Sequence, residues 1–247
     1  MFPVAGYLKL ATGIFFLIIA KQFYYLKKTI AILLFCILYF IPSFPQRAQF
    51  SLATDFTVLR NFTNEQRFWT IGQTVTAHFN FTPKDGMYAW ITYSGNGKFS
   101  NQLAATAKSV FTTPLQVDYK NYATMRFRHI SFGWKRYLKG AYNIETNWSL
   151  YGYVGFGLLL GNIINTHTVA IDTANYFTPV LKGNADFKRL TFDVGLGYEK
   201  PIGGDVFFYM EARVLIPTTE YPSAYLFINN NAPLISSVNA GLRLLFD

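Results

Sequence analysis

Apolar and polar residues alternate with a period of two through most of the chain after residue 50. In residues 190–198 every even position is apolar or aromatic, from Leu190 to Tyr198, while Thr191, Asp193 and two glycines take the odd positions. Side chains of a β-strand point alternately to the two faces of a sheet, so this segment is predicted to be one amphipathic strand. The same alternation recurs in residues 206–216 and 238–246.

Applied to the whole chain, this pattern predicts eight strands. They cover residues 50–59, 68–81, 87–94, 122–135, 148–163, 187–200, 206–216 and 237–246. The connections at residues 83–86 and 201–205 are short and rich in Gly, Pro and Asp, whereas residues 95–121, 164–186 and 217–234 form long connections. In a closed barrel, this alternation places turns at one rim and long loops at the other.

The alternation alone does not say which face meets solvent, because a soluble β-sandwich shows the same period. Long strands, one-sided loops and aromatic residues at strand ends, such as Trp69, Trp134 and Trp148, favour lipid against the apolar face. After residue 50 no apolar run approaches the length of a membrane-spanning helix. We therefore predict an all-β fold, a single eight-stranded antiparallel transmembrane β-barrel over residues 49–247.

The first 48 residues differ from the rest, since they contain two apolar runs, five basic residues and no acid. The second run, residues 30–41, follows Lys27 and Lys28 and is too short to span a bilayer, as in a secretory signal peptide. We predict cleavage after Ala48, leaving Gln49 at the mature N-terminus. Residues 1–25 are interpreted as lying upstream of a true start at Leu26, and an inner-membrane helix is the alternative.

Composition narrows the function classes. Apolar residues make up 51% of the chain and charged residues 14%, against about 25% charged in soluble domains, so disorder is excluded. Five of the 22 basic residues precede residue 49, which leaves 17 basic against 13 acidic residues without a basic stripe. Nucleic acid is therefore not a predicted partner. One Cys and three scattered His predict no metal and no cofactor.

The region from residue 50 onward resembles the small eight-stranded outer-membrane barrels of the OmpA/OmpX type. Its high content of aromatic residues is similar to that of such barrels from Bacteroidota. The most specific element is the last strand, where alternating apolar residues end on an aromatic, similar to the signal read by the barrel assembly machinery. Its members are Val238, Ala240, Leu242, Leu244 and Phe246, followed by Asp247. The resemblance implies the outer membrane as location, and lipopolysaccharide and the assembly machinery as partners.

The polar faces of the predicted strands carry charged residues from five strands. These are Asp55, Arg126, Arg128, Arg189, Asp193, Glu199, Glu211, Arg213 and Arg243. The interior of an eight-stranded barrel is about filled by side chains, and buried charges must be paired. We predict an ion-pair network inside the barrel, with a proton or ion relay as the alternative.

Strand four departs from the pattern, because Arg126 and Arg128 share their parity with the apolar Ile130 and Phe132. We predict a β-bulge near Arg128 and His129 that places both arginines in the lumen and turns the later apolar residues to lipid.

Without that bulge, His129 and Ser131 would face lipid together. The His-x-Ser pair is similar to the catalytic pair of outer-membrane lipid A deacylases, with Glu145 as a possible third member. Phe132 stands where that family has Asn, and the motif lies in the middle of the chain. No catalytic residue is predicted, and a deacylase-like hydrolase is the remote alternative.

We predict a non-enzymatic outer-membrane protein whose long loops contact an extracellular protein or glycan or support envelope integrity. A narrow pore for small solutes is the alternative. Residues 95–121 are expected to be a binding element or to extend the strands above the membrane. Aromatic loop residues expected to make contacts are Tyr176, Phe177, Tyr221, Tyr225 and Phe227. Asp172, Thr173 and Ala174 resemble a short O-glycosylation signal.

Overall fold

The computed structural model describes residues 49–62, 65–145, 147–219, 224–226 and 235–246. The predicted signal peptide and translation start, together with Tyr221 and Phe227, lie outside these residues and stay predictions. Within the described part of the chain, no helix is long and apolar enough to cross a membrane.

The described residues form a sheet of β-strands that closes on itself. The strands are β1 (Gln49–Asn61), β2 (Phe68–Asn80), β3 (Asp85–Ala107), β4 (Gln116–Lys139), β5 (Ser149–His167), β6 (Tyr176–Phe177), β7 (Gly183–Gly203), β8 (Val206–Pro217) and β9 (Ile235–Phe246). They run in the order β2-β1-β9-β8-β7-β5-β4-β3, and β2 also pairs with β3, while β6 adds outside the ring to β3. All pairs are antiparallel, which confirms the predicted all-β, eight-stranded barrel.

The register of the strands shows how narrow the barrel is. From Gln49, the paired residues run around the ring and return to β1 at Leu59, ten residues farther along. A stagger of this size tilts the strands by about 35–45° to the barrel axis. An eight-stranded ring leaves an interior just wide enough for side chains to fill.

The outer wall is apolar and the inner wall is polar. On β9, Val238, Leu242 and Leu244 are exposed, while Asn239 and Arg243 are buried inside. The other barrel strands show the same alternation. A soluble barrel buries its apolar face, so this arrangement is that of a transmembrane barrel with lipid outside. We call the apolar outer belt the apolar band.

The connections divide between two rims, as predicted. The β2–β3, β4–β5 and β7–β8 connections lie at one rim with Gln49 and Phe246, and we call this the turn rim. The opposite ends of the described strands form the loop rim. Outward-facing aromatic residues line both ends of the apolar band. They include Trp69 and Tyr93 towards the loop rim, and Phe79, Trp134, Trp148, Tyr198 and Phe246 towards the turn rim.

A two-stranded hairpin rises from the loop rim. β3 and β4 stay paired from Gly97 and Met125 to Thr106 and Gln116, and β6 joins them at Thr106. We call residues 97–125 the β3–β4 extension. Most of the predicted loop 95–121 is therefore strand, which is one of the two outcomes expected for it.

The predicted bulge in β4 is wrong. β4 pairs with β5 without a register shift from Asn121 to Tyr137, and the irregularity lies in β3, between Ser94 and Gly97. The prediction that Arg126 and Arg128 line the lumen is also wrong, because both are exposed on the outer wall. β4 continues past the apolar band towards the loop rim. Outward-facing charges in that part of the strand, such as Arg126 and Arg128, therefore lie outside the hydrocarbon.

Candidate functional site

The barrel interior towards the turn rim is filled by a charged cluster around Glu199. Arg243 donates two hydrogen bonds to its carboxylate, from Nε to Oε2 at 2.9 Å and from Nη2 to Oε1 at 2.5 Å. The ammonium of Lys135 lies 3.8 Å from Glu199 Oε2 and 3.6 Å from the centre of the Tyr151 ring. Tyr137 donates to Glu199 Oε1 at 3.4 Å. We call this group the Glu199 cluster.

A second charged cluster lies at the middle of the barrel, around Arg213. Its guanidinium lies between two carboxylates, donating from Nη2 to Asp55 Oδ2 at 3.3 Å and from Nε to Glu211 Oε2 at 2.8 Å. Tyr209 donates to Asp55 Oδ2 and Tyr151 donates to Glu211 Oε1, each at 2.7 Å. This arrangement satisfies the desolvated charges from both sides, as burial requires. We call it the Arg213 cluster.

His129 and Asp193 form a third buried pair beside the Arg213 cluster. His129 Nε2 lies 3.3 Å from Asp193 Oδ2 and 2.9 Å from Thr191 Oγ1, while Trp90 Nε1 donates to His129 Nδ1 at 3.2 Å. The pair fits against Gly157, where an added Cβ would lie 2.3 Å from His129 Nε2. Glycine is therefore needed at this position for the imidazole to reach the carboxylate.

Above these polar groups, an apolar plug fills the barrel towards the loop rim. Its buried members are Leu59, Phe68, Ala123, Met125, Phe127, Leu159, Ile163, Phe187, Leu215, Leu226 and Ile235. A cavity of ≈ 10 Å³ lies within the plug. It has room for about one water molecule. The two charged clusters and the plug together fill the lumen at three levels.

The structure places the predicted charged residues unequally. Six are buried inside the barrel, namely Asp55, Asp193, Glu199, Glu211, Arg213 and Arg243. Arg189 faces inward and is half-buried beside the plug. Sequence reasoning missed Lys135, and the signal was its parity, since it shares the inward register of His129 and Ser131 on an unbroken β4.

The hydrolase alternative requires a hydrogen bond between His129 and Ser131, and the structure does not place one there. His129 and Ser131 both face the lumen, contrary to the expectation for an unbulged strand, and no hydrogen bond joins these two described residues. Ser131 Oγ donates to the Phe156 carbonyl at 3.2 Å, and both ring nitrogens of His129 have other partners. Glu145 is exposed at the turn rim. Nucleophile and base must lie in hydrogen-bond contact, so this arrangement does not activate Ser131.

Outside the apolar band, two rings pack against each other midway along the β3–β4 extension, at an interplanar angle of 48°. Tyr119 and His167 lie with ring centres 4.6 Å apart. Burial raises the pKa of the Tyr119 hydroxyl. Burial, with a smaller contribution from the charge of Lys182, lowers the pKa of His167. The described residues contain no cluster of His, Cys, Asp or Glu suited to a metal ion.

Comparison with known proteins finds similarity in solved structures only. No family model and no curated protein matches the chain. Neisserial surface protein A is 10% identical, over 80% of this chain and 97% of that protein, with a TM-score of 0.48. A major outer membrane protein from Thermus thermophilus is 8% identical, over 80% and 99%, with a TM-score of 0.46. Ail, the attachment invasion locus protein of Yersinia pestis, is 9% identical, over 81% and 100%, with a TM-score of 0.45. These likenesses concern the fold alone.

Proposed function

We propose that this chain is a non-enzymatic outer-membrane protein whose closed barrel presents the β3–β4 extension to an extracellular protein or glycan. The observation that carries the proposal is the contrast between a filled lumen and an exposed apolar tip. At that tip Phe111 is 92% exposed, Val110 81% and Leu115 61%. Exposed apolar side chains that cluster beyond the membrane are typical of contact surfaces.

The tip is braced by the neighbouring β5–β7 connection. Lys108 donates from its backbone to the Asn175 carbonyl at 2.9 Å and from Nζ to the Thr173 carbonyl at 2.8 Å. Tyr176 donates from its hydroxyl to the Pro114 carbonyl at 2.9 Å. Because these hydrogen bonds already order the tip, the tip loses less conformational entropy when it binds a partner. They support a role for the tip in recognition.

The wall of the barrel supports a location in the outer membrane. In lipid, only α-helices and closed β-barrels satisfy the hydrogen bonds of every backbone N–H and C=O group. The apolar band of this barrel faces outward on every barrel strand. The outward residues of β9 that resemble the assembly signal are exposed, and Phe246 stacks on Phe50 of β1 at 5.7 Å. This position at the closing pair supports recognition of β9 by the barrel assembly machinery.

A loss-of-contact experiment tests the role of the tip. Cells displaying the protein are incubated on arrays of extracellular proteins and glycans, and the double variant Val110→Ser, Phe111→Ser is compared with wild type. Ile202→Ser is the control, because Ile202 is 62% exposed at the opposite rim. We expect binding to fall severalfold only in the tip variant, with unchanged heat-modifiable mobility in gels. Undiminished binding by a tip variant with normal mobility would contradict the proposal.

The alternative of a narrow pore makes the opposite prediction for electrical recordings. Buried side chains of the described residues fill the lumen at three levels, so purified protein in planar bilayers is expected to show no discrete conductance steps. Regular steps that persist at high protein purity would favour the pore and replace the present proposal.

A further inference from the structure

A group of cations lies on the outer wall of the barrel, just beyond the apolar band. Arg128 on β4 pairs with Leu160 on β5, which pairs in turn with Lys188 on β7, so both cations lie on one row across three strands. Arg126 lies two residues before Arg128 on β4, closer to the loop rim and on the same exposed face. Neighbouring strands are about 4.8 Å apart, which puts the Arg128 and Lys188 backbones roughly 10 Å from each other. Their long side chains can reach one small anion between them.

These three cations have no carboxylate partner. The ion pairs among the described residues lie inside the barrel or, for Arg136 and Asp85, at the turn rim. Asp186, the acid on the next row of β7, instead accepts a hydrogen bond from Asn162 at 2.8 Å. Arg126 donates from Nε to the Asn96 side chain, which is neutral. Three cations against one acid leave this part of the wall with excess positive charge.

The position of the group relative to the apolar band identifies the kind of anion. Directly towards the turn rim, the outward positions are Ile130 on β4, Leu158 on β5 and Leu190 on β7, and Leu160 lies between the cations themselves. The Arg128 guanidinium lies 6.0 Å from the Tyr93 ring, an aromatic of the interfacial type. A molecule that meets both surfaces has a charged head and a hydrocarbon body.

We propose that Arg126, Arg128 and Lys188 form a binding site for the phosphate group of a membrane lipid in the leaflet next to the loop rim. Guanidinium groups present a planar fork that matches phosphate oxygens, and the lysine adds a third positive charge. The acyl chains of the lipid would lie along the apolar residues below. In an outer membrane, the phosphorylated lipid of that leaflet is the lipid A part of lipopolysaccharide. This inference rests on the proposed placement in the outer membrane.

Native mass spectrometry of the folded protein in neutral detergent tests the site. Wild type is titrated with diphosphorylated lipid A, with enzymatically dephosphorylated lipid A, and with inorganic phosphate. The test variant is Arg126→Gln, Arg128→Gln, Lys188→Gln. The matched control is Lys84→Gln, Lys139→Gln, Lys200→Gln, which removes three exposed charges from the turn rim. Heat-modifiable mobility verifies that each variant is folded.

We expect wild type and the control to bind diphosphorylated lipid A equally and to prefer it over the dephosphorylated form. Each basic residue beside an anionic group contributes about fivefold in affinity, so the test variant, which lacks three of them, should bind about a hundredfold more weakly. Equal binding by test variant and control would overturn the site. Equal binding of both lipids would overturn the role of phosphate, and inorganic phosphate binding as tightly as lipid would overturn the lipid assignment. A folded barrel that binds no phosphorylated lipid contradicts this inference and leaves the proposed function standing.

Discussion

The indole of Trp90 donates a hydrogen bond to Nδ1 of His129 at 3.2 Å. In a neutral imidazole, the nitrogen that accepts carries no proton, so the proton lies on Nε2, which faces Thr191 and Asp193. The imidazole is thus a bridge between an aromatic wall and a buried acid. Its two nitrogens are committed to structural contacts within the barrel.

This geometry predicts that replacing His129 and Ser131 with Ala leaves lipid A acylation unchanged. The double variant should instead lose stability, because Asp193, which is 0% exposed, would be left without its partner. Mass spectrometry of lipid A from expressing cells measures the first outcome, and urea unfolding in lipid vesicles measures the second. Loss of a deacylated lipid A species in the double variant would make the enzyme hypothesis the leading one.

The Glu199 cluster predicts an asymmetry between its partners. Glu199→Gln removes the acid that neutralises both Arg243 and Lys135, so it should destabilise the barrel by about 3–5 kcal/mol. Arg243→Met should cost less, because Lys135 remains 3.8 Å from the carboxylate. Urea unfolding followed by tryptophan fluorescence gives both free energies.

Asp85→Asn is the control for the cluster, since Arg136 and Asp85 form an ion pair at 3.7 Å with the arginine largely exposed. Such a pair is worth about 0–1 kcal/mol. A cost for Arg243→Met that equals or exceeds the cost of Glu199→Gln would show that Lys135 does not compensate the acid.

The period-two pattern was sufficient to predict the ring of strands, because each barrel strand has lipid on one side and packed polar groups on the other. Asp193 and Leu190 illustrate this, since their opposite parity alone assigned them to opposite walls. Arg126 and Arg128 were misplaced because parity was overruled by the assumption that a charge on a barrel strand must point inward. That assumption fails where a strand extends past the apolar band.

The partners within the lumen could not be predicted from one strand at a time. Arg213 reaches Asp55 across 158 positions of sequence, and Trp90 reaches His129 across 39. Which side chains meet depends on the ten-residue stagger of the whole ring, which no local pattern specifies. Lys135 could have been found, because its parity on β4 is inward once the strand is taken as unbroken.

The apolar band predicts that the cost of an outward-facing arginine depends on how deep in the membrane it lies. Val194 lies on the outward face of β7 within the apolar band, so Val194→Arg should cost about 2–4 kcal/mol. Thr166 lies on the outward face of β5 near its loop-rim end, where Thr166→Arg should cost about 0–1 kcal/mol. Unfolding in lipid vesicles compares the two variants. Equal costs would show that the apolar band does not meet hydrocarbon at Val194.

The contact between Tyr119 and His167 predicts that the middle of the β3–β4 extension loosens in acid. Burial holds the pKa of His167 below its ordinary value, so the unfolded form of this segment binds a proton more readily than the folded form. The contribution of His167 to local stability is therefore present above the ordinary histidine pKa of about 6.5 and is lost as the pH falls through its folded pKa. Hydrogen-exchange protection factors for the end of β5, corrected for intrinsic exchange, should be lower at about pH 5.5 than at about pH 7.5. His167→Gln keeps a polar side chain but cannot titrate, so it should abolish this difference while leaving the amides of β8 unaffected. A pH dependence that persists in His167→Gln would assign the loosening to another group.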